Sequence, residues 1–255
     1  MHEKDKSIVQ RSMVQTDCVV VNQCDLNSIE DYTFLNCKGR ECRVKFINTT
    51  ERGLSKSRNL AIYNAWADVC LVCDDDERLS SGYEEAILKA YQEQKDADIM
   101  VFSISGDKYT RVYPTKTMRL NFIEILKSSS QQISFKRNSI VDRNICFDEK
   151  MGSGTGNGGG EETMFLLTCK KRNFNIFYNP FCVATICKGE SKWFHGYTEK
   201  FFQNQGWVDR RILGPFLGMV YIFYWSIFRH SVYRKDGISI YTAIINSLIG
   251  YFSKR

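Results

Sequence analysis

Residues Val69–Leu79 read VCLVCDDDERL. An apolar, β-branched run, Val69–Cys73, passes without a break into four acids, Asp74, Asp75, Asp76 and Glu77. The run has the length and composition of a buried strand. Like charges repel, and a carboxylate is costly to bury without a partner. The acids are therefore expected where a strand leaves the core, with their charges toward a crevice. Carboxylates gathered there can share a hard divalent cation, which removes their mutual repulsion. A solvated acidic loop accounts for the same residues equally well on local grounds.

Working outward, Cys18–Asn22 (CVVVN) is a short β-branched run that ends in Gln23, Cys24 and Asp25, and Val44–Asn48 is a second strand. A helix opens at Ser55 as N-cap and carries Leu60, Ala61, Asn64 and Ala65 at helical spacing. After the acids, Ser80 or Ser81 caps a helix that continues through Glu84–Gln94, and Ile99–Ile104 is a fourth strand. Alternating strands and helices argue for an α/β fold with a parallel sheet, in which ligands bind beyond the carboxyl ends of the strands. Further on, Asn121–Lys127 and Thr163–Arg172 read as helices and Ile133–Lys136 as extended.

The glycine run at Gly154–Gly159 (GTGNGG) satisfies a GxGxxG pattern. No strand feeds directly into it, so a dinucleotide fold is rejected, and a loop that closes over a ligand fits better. Glu161 and Glu162 follow at the start of the next helix. Acids in a first turn are favourable with the helix dipole whether or not they do chemistry.

Composition sets limits. The 255 residues, 43% hydrophobic and 25% charged, suit one large globular domain or two modest ones. The charged N-terminus MHEKDKSIVQ has no apolar core segment of a secretory signal. The ten cysteines are expected to be free thiols in a reducing cytosol. Cys70 and Cys73 sit three apart in a strand, on opposite faces, and cannot chelate one ion together. The net charge of +6 resides in the last quarter: residues 188–255 hold ten basic and four acidic side chains, whereas 1–187 balance. The same segment holds two apolar stretches, Ile212–Phe228 and Ile238–Phe252. A basic, apolar terminus points to an anionic membrane surface and away from nucleic acid. Ile212–Phe228, with Pro215 in its first turn, is at the lower length limit for a span. Helices lying in the interface, packing on the rest of the protein and crossing the bilayer all remain open, the first favoured by lengths and flanking charge.

Three stretches in this order resemble family-2 glycosyltransferases of the GT-A fold: RGLSKSRNLAIYNAWADVCLVCDDDERL, FDEKMGSG followed by GGGEETMFLL, and KWFHGYTEKFFQNQG. The last is similar to a segment of bacterial capsule and surface-polysaccharide members. The resemblance covers roughly residues 17–206 and implies a Rossmann-like mixed sheet flanked by helices. It lacks the family's opening apolar strand, because none precedes Cys18, and adds a helical C-terminal tail. The implied organisation is a catalytic domain over 1–206, with a nucleotide-binding half to about 120 and an acceptor half over 121–206. A membrane-associating tail follows over 207–255.

Residue by residue, the resemblance implies that Asp25 contacts the nucleotide base and Arg58 helps hold the nucleotide. Asp74 and Asp75 then face the ribose or the metal, and Asp76 is the direct ligand of Mg²⁺ or Mn²⁺. Glu161 and Glu162 match an acid pair whose second member is the general base, Glu here in place of the usual Asp. His195, beside Trp193 and Phe194, is a candidate further metal ligand. The expected activity is inverting transfer from a nucleotide sugar, UDP-linked, to a glycan or lipid-linked acceptor in surface polysaccharide synthesis. The expected location is cytoplasmic, peripheral on the inner face of the cell membrane. The competing readings are a sugar-phosphate nucleotidyltransferase, against which stands the absence of a phosphate loop rich in glycine and lysine, and an inactive remnant that binds a membrane or partner.

Overall fold

The computed structural model describes residues 6–106, 112–127, 132–187 and 196–254. Packing divides the chain into two compact units. The first comprises residues 1–52, 56–147 and 165–190, and the second 53–55, 148–164 and 191–255.

In the first unit, α1 (Ile8–Arg11) precedes β1 (Cys18–Gln23), β2 (Ser28–Leu35) and β3 (Glu41–Thr49). These form a three-stranded sheet in the order β1-β3-β2, with β1 parallel to β3 and β2 antiparallel to it. Ile8 and Val9 of α1 pack with Val44 and Phe46 of β3. Then come, in chain order, α2 (Leu54–Asn64), β4 (Val69–Leu71), β5 (Glu77–Leu79), α3 (Tyr83–Glu93), β6 (Ile99–Gly106), β7 (Met118–Arg119), α4 (Phe122–Lys127), β8 (Gln132–Lys136), α5 (Arg137–Val141), α6 (Glu161–Lys171) and β9 (Ile176–Ile186), with residues 54–55 of α2 and 161–164 of α6 counted in the second unit. The second sheet runs β4-β8-β6-β9-β5, with β7 also on β9.

This sheet is mixed where strand–helix alternation predicts a parallel one. Strand β8 lies antiparallel between β4 and β6, so that β4, β6 and β9 share one direction, and β5 and β7 both run antiparallel to β9. Strand β6 is central and buried on both faces, which is why Ile99–Phe102 reads as an unbroken apolar run. Its partner β9 contains Pro180, which has no N–H to give a ladder. The register shifts at that level, and the Ser103 hydroxyl lies 3.0 Å from the carbonyl oxygens of both Pro180 and Phe181. Strands β1 and β4 each end a sheet, and no strand bridges them among the described residues. Trp66 Nε1, just before β4, donates to Asp17, just before β1 (3.0 Å).

Two local expectations change. Helix α3 is capped by Gly82 in a left-handed conformation (φ 74°), with no side-chain cap from Ser80 or Ser81. Its first-turn acids Glu84 and Glu85 instead pair with Arg40 and Lys38. Glu77 does not belong to the exposed acidic turn, since it is the buried first residue of β5. All ten cysteines are free.

The second unit is built on α7 (Glu199–Phe228), α8 (His230–Tyr233), a 3₁₀ turn (Arg234–Asp236) and α9 (Ile240–Phe252). Thr198 and Ser239 cap α7 and α9, accepting from the N–H groups of Phe201 and Thr242. Asp209 of α7 is buried and accepts from Gln205 Nε2 (2.6 Å). Burial pushes its carboxyl up to about 7, against which the Gln205 bond acts. A folded-state pKa above the unfolded value means that folding takes up a proton between the two. This group's contribution to stability therefore falls as pH rises from about 4 to about 7 and is flat above. Asp209→Asn should stabilise the fold by on the order of 3 kcal/mol at about pH 8 and by almost nothing at about pH 4. Urea denaturation at both values checks this; a gain or loss independent of pH would contradict it.

Candidate functional site

In the first unit Asp74, Asp75 and Asp76, but not Glu77, lie on a turn beyond a strand end, as the sequence suggests. Strand β4 ends at Leu71, and the chain turns through Asp74–Asp76 before β5. The turn leaves β4 at the carboxyl end it shares with β6 and β9. The carbonyl of Asp76 accepts from Cys187 N just beyond β9 (2.8 Å).

The four acids avoid repulsion by separate means. Asp74 is ion-paired: Arg58 Nη2, on α2, donates to its Oδ1 at 2.9 Å and lies 3.2 Å from Oδ2. The Arg58 side chain is 8% exposed and that of Asp74 37%, and the guanidinium sits 5.3 Å from the centre of the Phe147 ring. Glu77 is buried. Burial first, and the Asp74 charge second, push its carboxyl well above the usual carboxylate range, while the Asp74 N–H donates to it (3.0 Å). Asp75 and Asp76 are exposed at the turn.

Around them, Asn59 fixes the segment at Phe147 by a two-way bond, giving from Nδ2 to the Phe147 carbonyl (2.9 Å) and accepting its N–H (2.8 Å). Gln23 at the end of β1 donates to Ser57 Oγ (2.7 Å), next to Arg58. Residues Ser57 and Arg58 thus hold the ends of β1 and of the β4 turn from one helix. Asp25, two residues past β1, is exposed and paired with Arg52 (2.6 Å). Arg52 also donates to the carbonyls of Cys24 (2.9 Å) and Thr50 (2.8 Å).

The donor set bears on the metal. Exposed carboxylate oxygens suit a hard cation, and Mg²⁺ characteristically takes only one or two protein carboxylates, completing its shell with phosphate oxygens and water. Among the described residues no three His, Cys, Asp or Glu side chains cluster to enclose an ion. The exposed carboxylates of Asp75 and Asp76 are of the donor type that such a cation takes. His195 and Trp193 lie outside the described residues.

In the second unit, residues 148–164 carry the glycine loop and the acid pair. Gly152, Gly154, Gly156, Gly158 and Gly160 all have positive φ, which explains the glycine at alternate positions. Gly152 N donates to Gly158 O (2.8 Å) and the Thr155 hydroxyl to Gly152 O (2.7 Å). The loop is moored to residues 53–55: Leu54 N donates to Ser153 O (2.9 Å), and the buried Ser55 hydroxyl to Met151 O (2.8 Å). Ser55 therefore ties down this loop instead of capping α2. Glu161 and Glu162 open α6 with unlike exposure. Glu161 is buried behind Gly152, where an added Cβ would come within 3.1 Å of its Cδ, whereas Glu162 is half-buried.

Of the residues singled out from sequence, Arg58 and Asp74 meet directly, and Asp75 and Asp76 follow on the same turn. Asp25 meets Arg52, which sequence reasoning did not name, and Glu161 and Glu162 share the second unit. The burial of Glu77 was also missed. Its one signal is the Glu77–Arg78–Leu79 alternation that begins a strand.

The model for glycosyl transferase family 2 matches residues 7–156. No curated protein matches. Among solved structures, the chain is similar to Staphylococcus aureus TarS 1-349 in complex with UDP-GlcNAc, at 15% identity over 92% of this chain and 71% of that one (TM-score 0.58). It is also similar to the mannosyltransferase PcManGT from Pyrobaculum calidifontis in complex with GDP-Man and Mn²⁺, at 9% identity over 98% and 71% (TM-score 0.50). At these identities the likeness speaks for the GT-A fold, a mixed α/β sheet with helices. The family match spans more than half of the chain, which therefore belongs to glycosyl transferase family 2 and is a glycosyltransferase.

Proposed function

We propose that the enzyme transfers a sugar from a nucleotide sugar, UDP-linked, to a hydroxyl of a glycan or lipid-linked acceptor, with inversion at the anomeric carbon and with Mg²⁺ or Mn²⁺. We further place it in bacterial surface polysaccharide synthesis, in the cytoplasm and peripheral on the inner face of the membrane. The observation that carries the donor reading is the fixed Arg58–Asp74 pair beside the exposed Asp75 and Asp76 at the carboxyl end of β4. UDP-GlcNAc, UDP and GDP-Man are bound by the structural neighbours, one of them with Mn²⁺, and these are the ligand classes carried over.

The proposed roles follow from the chemistry each side chain can do. Asp25 accepts hydrogen bonds from the base, in a position set by Arg52. Arg58, buried and held against Phe147, fixes the Asp74 carboxylate toward the ribose or the cation. Asp76, exposed, is the direct ligand, with Asp75 beside it. When bound, the divalent cation neutralises charge on the departing nucleoside diphosphate as a Lewis acid. Glu162, the accessible member of its pair, takes the proton of the attacking hydroxyl. Displacement by that hydroxyl from the face opposite the leaving group inverts the configuration.

Incubating the purified chain with a panel of UDP- and GDP-sugars and Mn²⁺ tests the reading through release of nucleoside diphosphate. Release from at least one UDP-sugar, suppressed by chelator, is expected. Release that is unaffected by chelator removes the metal, and release from GDP-sugars alone removes UDP.

A further inference from the structure

The C-terminal helices leave many of their large apolar side chains outside. Helix α9 turns Asn246, Ser247, Gly250, Ala243 and one large residue, Tyr251, inward and Tyr241, Ile245, Ile249 and Phe252 outward. Its contact with α7 is made through small residues. A Cβ on Gly206 would fall 1.9 Å from Ser247 O, and one on Gly250 would fall 1.7 Å from Gln203 O. Polar groups bond across the same seam, Gln203 Nε2 giving to Asn246 Oδ1 (2.9 Å). The last part of α7 buries Gly218, Ile222 and Ser226 while Phe216 and Phe228 are 76% and 71% exposed. A helix pair facing water buries its large apolar side chains. Small and hydrogen-bonding residues inside with large apolar residues outside is how helices pack where the surroundings are hydrocarbon.

Length decides the manner of contact. By length and composition, Glu199–Phe228 is apolar enough to cross a membrane. It is not one straight helix. Gly214 breaks it (φ 79°, ψ −179°), Pro215 starts a new arm, and a Cβ on Gly218 would lie 2.8 Å from Asp209 O. Residues nine apart in a straight helix are separated by about 13 Å, so the second arm folds back on the first. That arm, 215–228, and α9 are each about 20 Å long at 1.5 Å per residue, short of the ~30 Å hydrocarbon core. The link between them exposes Arg229, Arg234 and Lys235 against one acid, Asp236.

We infer that this folded helical hairpin is a monotopic anchor: its outward apolar residues enter one leaflet of an anionic bilayer, with the basic link at the headgroups. A lipid surface is favoured over a second copy of the chain because the apolar faces adjoin excess positive charge. Two copies would bring that charge together, whereas anionic headgroups neutralise it. The inference does not rest on the catalytic reading, because vesicle binding is read without turnover.

The test is flotation of the purified full chain with vesicles of equal parts phosphatidylcholine and phosphatidylglycerol, and with phosphatidylcholine alone. Binding to the mixed vesicles, weakened by salt and by omission of phosphatidylglycerol, is expected. Replacing Phe216, Phe223 and Phe228 together by Ser should cut partitioning at least about a hundredfold. Helical circular dichroism should be unchanged. Arg234→Glu with Lys235→Glu should remove the preference for anionic lipid while leaving the fold intact. A full chain that stays wholly with the soluble fraction at low salt overturns the inference. So does light scattering that shows a dimer converted to monomer by the Phe replacements.

Discussion

Glu162→Gln is expected to cut sugar transfer by about a hundred- to ten-thousandfold while nucleotide binding stays within about twofold of wild type. The amide keeps the size and hydrogen-bonding reach of the carboxylate but cannot accept a proton at neutral pH. An acceptor hydroxyl would then have to attack without losing its proton to the enzyme. The prediction separates the two acids at the start of α6. Glu161 is buried behind Gly152, so changing it alters how the glycine loop sits. Glu162 is the accessible one, so changing it should leave the fold alone. Transfer preserved in that variant would remove Glu162 as the base.

Asp76→Ala is expected to lower turnover by about a thousandfold or more and to abolish its response to added Mn²⁺. The side chain is exposed, so its loss should cost little stability. Asp74 is a poorer probe of the same question. Its carboxylate pairs with Arg58, and removing it takes an ion-pair partner from a nearly buried cation. A drop in activity of Asp74→Ala would then mix lost binding with lost structure. An Asp76→Ala enzyme that still responds to Mn²⁺ would assign the cation to other ligands.

What the sequence shows and what it hides divide by range. Strand β4 and the acidic turn are legible because an apolar run meeting charges has few other solutions, and α2 because its spacing is regular. The direction of β8 is not legible. Nothing within Gln132–Lys136 reveals that it will lie antiparallel between strands some thirty and sixty residues away. Strand β9 is hidden by Pro180, tolerated only because the register with β6 shifts there. The turn that seems to hold four equivalent acids is sorted by tertiary contacts: Arg58 claims Asp74, and β9 buries Glu77. At the C-terminus, Pro215 is correctly read as the start of an apolar helix. The helix before it and the fold-back at Gly214 depend on packing against Asp209 and α9, which hydrophobic pattern alone does not encode.

The central claim, that the turn after β4 takes a nucleoside diphosphate together with a divalent cation, is tested most directly by calorimetric titration of the purified chain with UDP. One titration is run with Mn²⁺, one with chelator, and both are repeated on Asp76→Ala. Binding at least about tenfold tighter with Mn²⁺ in the wild type, and no such difference in the variant, is the predicted result. Equal affinity with and without the metal, or no binding of UDP in either condition, would contradict it.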